Sequence, residues 1–316
     1  MGTALRPLRA LLPGVVLLFS SGDTHSQELL WPLPLKPALS STFGESRSTG
    51  IHLGIDLKTW GKTGFEVRAP ADGYVMRLRT SPWGFGRALY LKLKDGRILV
   101  FAHLSSFATR IGLHVAEAQQ EQQRYSVDIW LEADKLVIRR GELIARTGAS
   151  GAGPPHLHLE VRDEDNVPLN PLENGFRVPD TIPPTIRAIG LLPIDATSRI
   201  DGRHEPHIQS VRWDASSGRF ESGHIPSVYG RIGVALLDYD RMDAAPNPLA
   251  SHQLHLEVDG RPYFAVTYNR ASYAKTHQIF LDRSRLKMGK GKSNFANLFL
   301  RPGNRLGFYT ETAKHH

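Results

Sequence analysis

Two histidines separated by one residue, His156 and His158, stand in the alternating run HLHLEV. On a strand, residues i and i+2 point to one face, so both imidazoles project together while Leu157 and Leu159 turn toward a core. Such a pair makes a metal site or a proton-transfer site, with an incidental structural role as the alternative. Upstream, GIHLGIDL places His52 and Asp56 four residues apart, again on one face, with Ile51, Leu53, Ile55 and Leu57 on the other. A cation such as Zn2+ accepts nitrogen and oxygen donors of this kind at ~2.0–2.2 Å. Read alone, Asp56 also fits a plain surface carboxylate. One more histidine, His103, ends the strand-like run RILVFAHL beside Ser105 and Ser106.

The composition leaves this chemistry few competitors. Among 316 residues there are 14 histidines and no cysteine. A thiolate nucleophile, a cysteine-ligated zinc finger, an iron–sulfur site and a disulfide framework are therefore excluded. Lys and Arg number 39 against 31 Asp and Glu, a formal charge of +8. Such an excess favours polyanions. It is spread along the chain, and only KMGKGK (Lys287 to Lys292) clusters, in what reads as a solvated loop.

The amino terminus has the layout of a secretory signal. Arg6 and Arg9 precede the apolar run ALLPGVVLLF (10–19), and a polar, small-residue stretch follows to Ser26. The run is shorter than the ~20 residues that span a bilayer, and Pro13 and Gly14 disfavour a buried helix. Residues 1–26 are expected to be removed, and no stable membrane insertion is expected. The basic excess survives that removal. In an exported protein it points to an anionic envelope polymer rather than to nucleic acid.

The elements that must position the histidines read as β-structure. From 38 to 105, short strand-like runs (ALSSTF, GIHLGIDL, EVRAPADGYVMRL, ALYLKLKDGRILVFAHL) are punctuated by glycine. Alternation in LYLKLK and the Asp95-Gly96 turn predict an antiparallel hairpin. Over 104–124, Leu104, Phe107, Ile111, Val115 and Ala118 recur at three and four residues, which predicts an amphipathic helix ending in QQEQQR. Strand-like runs resume in YSVDIWLEA, KLVIRRGELIART and PHLHLEVRD. Pro179, Pro183 and Pro184 mark a linker. Beyond it, runs such as HQLHLEVDGRPYFAVTY, HQIFLDRS and FANLFLR predict a β-sandwich of immunoglobulin-like type over 179–316. The fold class expected is thus all-β, and the length suits about two domains.

Taken together, H-x-x-x-D (His52, Asp56), A-H-L (Ala102 to Leu104) and P-H-L-H-L-E (Pro155 to Glu160) resemble the lysostaphin-type, LytM-like zinc endopeptidases that cut peptide cross-links in bacterial peptidoglycan. The flanking text agrees: FGESR and APADGYV surround the first motif, RRGELIARTGASG precedes H-x-H, and Asn170-Pro171-Leu172 follows it. The resemblance runs from about Trp31 to Phe176. It implies an antiparallel LytM-like peptidase core over 27–178, with a small helical insertion at about 107–137. It also implies one Zn2+ held by His52, Asp56 and His158 with a fourth position open, and His103 and His156 as catalytic, proton-moving groups. The implied partner is the peptide stems and cross-bridges of peptidoglycan, in the periplasm or cell envelope of a Gram-negative cell. A D-Ala–diaminopimelate bond is then the expected target. Some relatives have lost ligands and serve as activators, so a non-catalytic or autoinhibited wall adaptor is the alternative, with the insertion as the element that would cover the site.

Other clusters read as incidental: His204 and His207 as a surface pair, His252 and His255 as facing opposite sides, Asp238, Asp240 and Asp243 as a solvated turn.

Overall fold

Alternating apolar residues carry the first half of the chain into short antiparallel strands, described in a computed structural model for residues 28–48 and 50–309. The expected signal segment, 1–26, lies outside the described residues. In chain order the strands are β1 (Leu39–Ser41), β2 (Ser46–Arg47), β3 (Gly50–Ile51), β4 (Ile55–Lys58), β5 (Glu66–Arg68), β6 (Gly73–Thr80) and β7 (Ala88–Leu93). They continue as β8 (Ile98–Ala102), β9 (Ser106–Phe107), β10 (Val127–Trp130), β11 (Val137–Ile138), β12 (Leu143–Arg146), β13 (His156–Arg162) and β14 (Pro168–Leu169). One helix, α1 (Thr109–Gln122), interrupts them.

The main sheet runs β1-β4-β13-β8-β7-β6-β10, with β11 on β6 and β14 on β13. Its pleat sorts the residues by face. Ile55, Leu57, Leu89, Leu91, Leu99, Phe101, Leu157 and Leu159 enter one apolar core, which α1 joins through Ile111 and Val115. Ala88, Tyr90, Ile98, Val100 and Ala102 line the opposite face. Because His158 pairs with Ala102 and Glu160 with Val100, the polar residues of β13 share that second face. The hairpin at Asp95-Gly96 forms as expected, Gly96 adopting a φ of +91° that glycine takes without a Cβ clash.

In the second half, a seven-stranded sheet runs through Arg219–Ser222, His207–Asp214, Thr185–Pro193, Ile232–Met242, Gly291–Asn297 and Arg283–Met288, with Ala245–Leu249 alongside Ile232–Met242. The hairpin Gln253–Val258/Arg261–Thr267 packs on it through Leu254, Phe264 and Val266, which meet Val234, Leu236, Ala296 and Leu298. The second half thus holds one large sheet and a two-stranded hairpin, which does not by itself establish the immunoglobulin-like sandwich expected from the sequence. The same apolar cluster takes in Phe43, Ile51 and Leu53 from the first half, so a shared core crosses the proline-marked boundary.

Three expectations shift. The helix begins at Thr109 rather than Leu104, because Ser106 and Phe107 are drawn into pairing with β12. HQIFLDRS is helical at its start: a 3-10 turn, Tyr273–Gln278, and a short α2 (Ile279–Asp282) precede the strand. Ile279 and Asp282, three apart, are buried while Phe280 is exposed, a helical and not a strand period. Asp238 and Asp240 lie within the strand Ile232–Met242 instead of a turn. Among the described residues, no helix is long and apolar enough to cross a membrane.

Candidate metal centre

The register of the main sheet assembles the site. β4 and β13 pair antiparallel so that Asp56 lies directly opposite His158, and His52 reaches the same point from the turn before β4. Between His52 and Asp56 on that face comes Gly54. A Cβ there would lie 2.5 Å from the Leu159 carbonyl oxygen and 2.9 Å from Cε1 of His158, so only glycine lets the His158 ring lie over it.

Three donor atoms converge. His52 Nε2 is 3.1 Å from both Asp56 Oδ1 and His158 Nδ1, and the latter two are 2.8 Å apart. All three residues are buried. The outer nitrogens fix the tautomers. His52 Nδ1 donates to the Thr42 carbonyl at 2.9 Å, and His158 Nε2 donates to Glu160 Oε1 at 3.0 Å. The neutral rings therefore turn lone pairs toward each other and toward a carboxylate oxygen, an arrangement that needs positive charge at its centre. The triangle is a few tenths of an ångström tighter than the ~3.4 Å edge of a tetrahedron with bonds of ~2.1 Å. A zinc ion fits this donor set, and the outer hydrogen bonds are of the kind that orient metal-ligating histidines.

Electrostatics carry the same demand. Burial opposes the Asp56 charge, yet in the metal-free site the adjoining His158 and His52 rings, able to take a proton in place of a metal, hold its carboxyl well below the usual carboxylate range. Burial pushes His158 down, but Asp56 and Glu160 overcome it and take the imidazole up to about 9, so without a metal a proton on His158 supplies the positive charge that a bound cation would replace. Arg47 Nη2 lies 3.2 Å from Asp56 Oδ2, leaving Oδ1 to the cluster.

The two other histidines named from the sequence face the same space. His103 follows β8 with a left-handed φ of +60°, and its Nδ1 donates to the Ser150 carbonyl at 2.8 Å. His156 Nδ1 donates to the Pro154 carbonyl at 2.7 Å, and its Nε2 lies 3.5 Å from Asp56 Oδ1. Both rings thus carry an Nε2 lone pair, with centroids 4.6 Å apart. Burial pushes His103 down to about 4, so it is neutral at physiological pH. All five residues line one cleft of about 710 Å³, walled by Arg47, Lys58, Trp60 and Phe85. Residues 107–137 contribute nothing to that lining. Their strand β10 lies at the far edge of the sheet, four places from β13.

Gly54, Glu160 and Arg47 are additions to the five. Spacing held a signal for the first two, since H-x-G-x-D and H-x-H-x-E each continue an i, i+2 face. His204 is apart from the cleft. His207 joins Asp201 and His224 in an exposed cluster whose closest contact is 3.4 Å, from His224 Nε2 to Asp201 Oδ2. His252 lies 3.1 Å from Glu173.

Sequence relatives add independent support for the motif reading. No family model matches the chain. A DD-carboxypeptidase/endopeptidase Mpg of Neisseria meningitidis is 30% identical over 131 residues, 41% of this chain and 24% of that protein. The murein hydrolase activator NlpD of Escherichia coli is 28% identical over 142 residues, 45% of this chain and 30% of NlpD. A zinc-containing peptidase from Vibrio cholerae superposes with a TM-score of 0.35 at 20% identity, covering 50% of this chain and 43% of that one. The chain spans less than a third of the length of the two sequence relatives. With the motif residues gathered in one cleft and these relatives beside them, the chain is similar to the LytM-like, lysostaphin-type family over the part that carries the motifs.

Proposed function

We propose that the chain is an exported zinc metalloendopeptidase that hydrolyses peptide cross-links of bacterial peptidoglycan in the cell envelope. The observation that carries the reading is the convergence of five side chains. Two imidazole nitrogens and one carboxylate oxygen meet at a point, and two further imidazoles turn free Nε2 atoms into the same cleft. His52 Nε2, Asp56 Oδ1 and His158 Nδ1 would hold the ion. Bound there, zinc supplies Lewis acidity to the scissile carbonyl and brings the pKa of a water molecule toward neutrality.

His103, kept neutral by burial, is the general base: its Nε2 takes the proton of the attacking water while Nδ1–H stays fixed on Ser150. The proton taken by His103 is then delivered to the departing amine, with the facing His156 Nε2, its ring held by the Pro154 carbonyl, relaying it. Arg47 and Lys58 give the cleft wall positive charge suited to stem peptides that carry carboxylates, and Trp60 offers an exposed apolar surface beside them.

The likeness to NlpD, a murein hydrolase activator, favours a second reading, a wall adaptor without its own hydrolysis. Digestion of purified sacculi followed by mass spectrometry of the released muropeptides separates the two. The peptidase reading expects new amine and carboxyl termini at a D-Ala–diaminopimelate bond, abolished by a chelator and by His158→Ala. The adaptor reading expects none from the pure protein. Absence of cleavage by zinc-loaded wild type would overturn the peptidase.

A further inference from the structure

The carboxylate behind His158 is held by a side chain from the far end of the sequence. Glu160 is almost wholly buried and accepts from three donors: His158 Nε2 at 3.0 Å, Arg162 Nε at 2.7 Å, and the Tyr273 hydroxyl at 2.5 and 2.6 Å from its two oxygens. Arg162 Nη2 donates to the same hydroxyl oxygen at 2.7 Å, which leaves the tyrosine proton for Glu160. The guanidinium also covers the Tyr273 ring, 4.9 Å from its centroid. A buried carboxylate with three charge-assisted or short hydrogen bonds has one orientation.

Tyr273 itself is fixed on both sides. Tyr268 is buried and donates to Asp282 at 2.9 Å, clamping the segment at its ends. Asn170, which follows β14, donates its side-chain amide to the Tyr268 carbonyl at 3.0 Å and its backbone N–H to Asn269 at 2.7 Å. On the other side, Thr276 lies against Gly50 of β3, two residues before His52. Neither Glu160 nor Tyr273 lines the cleft, so both act through His158.

We propose that Tyr273 is a positioning residue for the metal centre. Segment 268–282 sets, through Glu160, the tautomer and orientation in which His158 presents Nδ1. The second half of the chain is then a structural part of the site and not an appended binding module. The inference rests on the reading of His158 as a ligand.

The test uses the full chain freed of metal, with zinc affinity measured by competition against a chelating dye and the visible spectrum recorded after Co2+ loading. Tyr273→Phe keeps the ring over Arg162 and removes only the hydroxyl. Loss of an outer-shell partner typically weakens metal binding by ~10–100-fold. Tyr273→Phe is expected at about the lower end of that range, with shifted Co2+ bands and a native circular dichroism spectrum. Glu160→Gln is expected to weaken zinc as well, and the double variant to lose no more than the stronger single one, because both lie on one route. Unchanged affinity and spectrum in Tyr273→Phe, or additive losses, would overturn the proposal. Should Tyr273→Phe not fold, Glu160→Gln decides: unchanged affinity there removes the route from Tyr273 to His158. Failure of the wild type to bind zinc would instead overturn the underlying metal assignment.

Discussion

Asp56 and His158 are direct cross-strand partners, and their side chains meet on the polar face of the sheet with Oδ1 and Nδ1 2.8 Å apart. The pairing joins two motifs separated by about a hundred residues, and it depends on a glycine. Gly54→Ala would push a Cβ into the Leu159 carbonyl and the His158 ring. The expected outcome is a loss of ~1–3 kcal/mol in stability, as for overpacking elsewhere, and weaker zinc binding. Chemical denaturation and a zinc titration of Gly54→Ala check both.

His103 is buried as a neutral imidazole, and its environment sets a pH dependence. Burial lowers its pKa from 6.5 to about 4, the Ser150 carbonyl and Asp56 raising it and His156 and His158 lowering it further. Below the unfolded value the unfolded chain binds a proton that the folded chain refuses. Stability from this group is therefore complete above pH ~6.5 and is lost as pH falls toward ~4, up to about 3 kcal/mol in all. His103→Asn tolerates the left-handed backbone and should flatten the slope of unfolding free energy between those pH values. Urea denaturation of both proteins at pH 7 and pH 5 reads the difference; parallel slopes would contradict it.

One apolar cluster joins Ile51 and Leu53 to Leu254, Phe264, Val266 and Tyr268, so the two halves are expected to unfold as one cooperative unit. Leu53→Ala should cost ~2–5 kcal/mol. It should also shift a single unfolding transition, followed by circular dichroism and by tryptophan fluorescence. Two separated transitions would show that the halves unfold independently.

None of segment 107–137 lines the cleft, so it is expected to act as a supporting element rather than a lid. Its exposed Trp130 stacks on Arg77 at 4.6 Å, on the edge strand. Trp130→Ala should leave peptide hydrolysis within about twofold of wild type, as for surface changes worth ~0.5 kcal/mol. Initial-rate measurements on a cross-linked muropeptide check this.

Local spacing made much of the site legible. The same-face pair His156/His158 follows from the pleat alone and Asp95-Gly96 marked its hairpin, whereas the strand expected over GIHLGIDL is broken at 52–54 and His52 reaches Asp56 from that turn. Which strands lie side by side is a matter of register between distant segments, and residue spacing carries no trace of it. Glu160 was visible as the next same-face residue after His158, but Tyr273 had no local mark, being 113 residues away in sequence. The stretch HQIFLDRS misled because four of its residues suit a strand, while the burial of Ile279 and Asp282 follows a helical turn. Ile51 and Leu53 look like core residues of their own sheet, yet the core they enter is built by the other half of the chain.

The proposed peptidase requires one zinc ion at His52, Asp56 and His158. Anomalous diffraction on either side of the zinc absorption edge, from crystals of the zinc-loaded full chain, tests it most directly. A strong peak is expected within ~2.0–2.2 Å of His52 Nε2, Asp56 Oδ1 and His158 Nδ1. A cleft without a peak, or a peak found only at the exposed Asp201, His207 and His224 cluster, would contradict it.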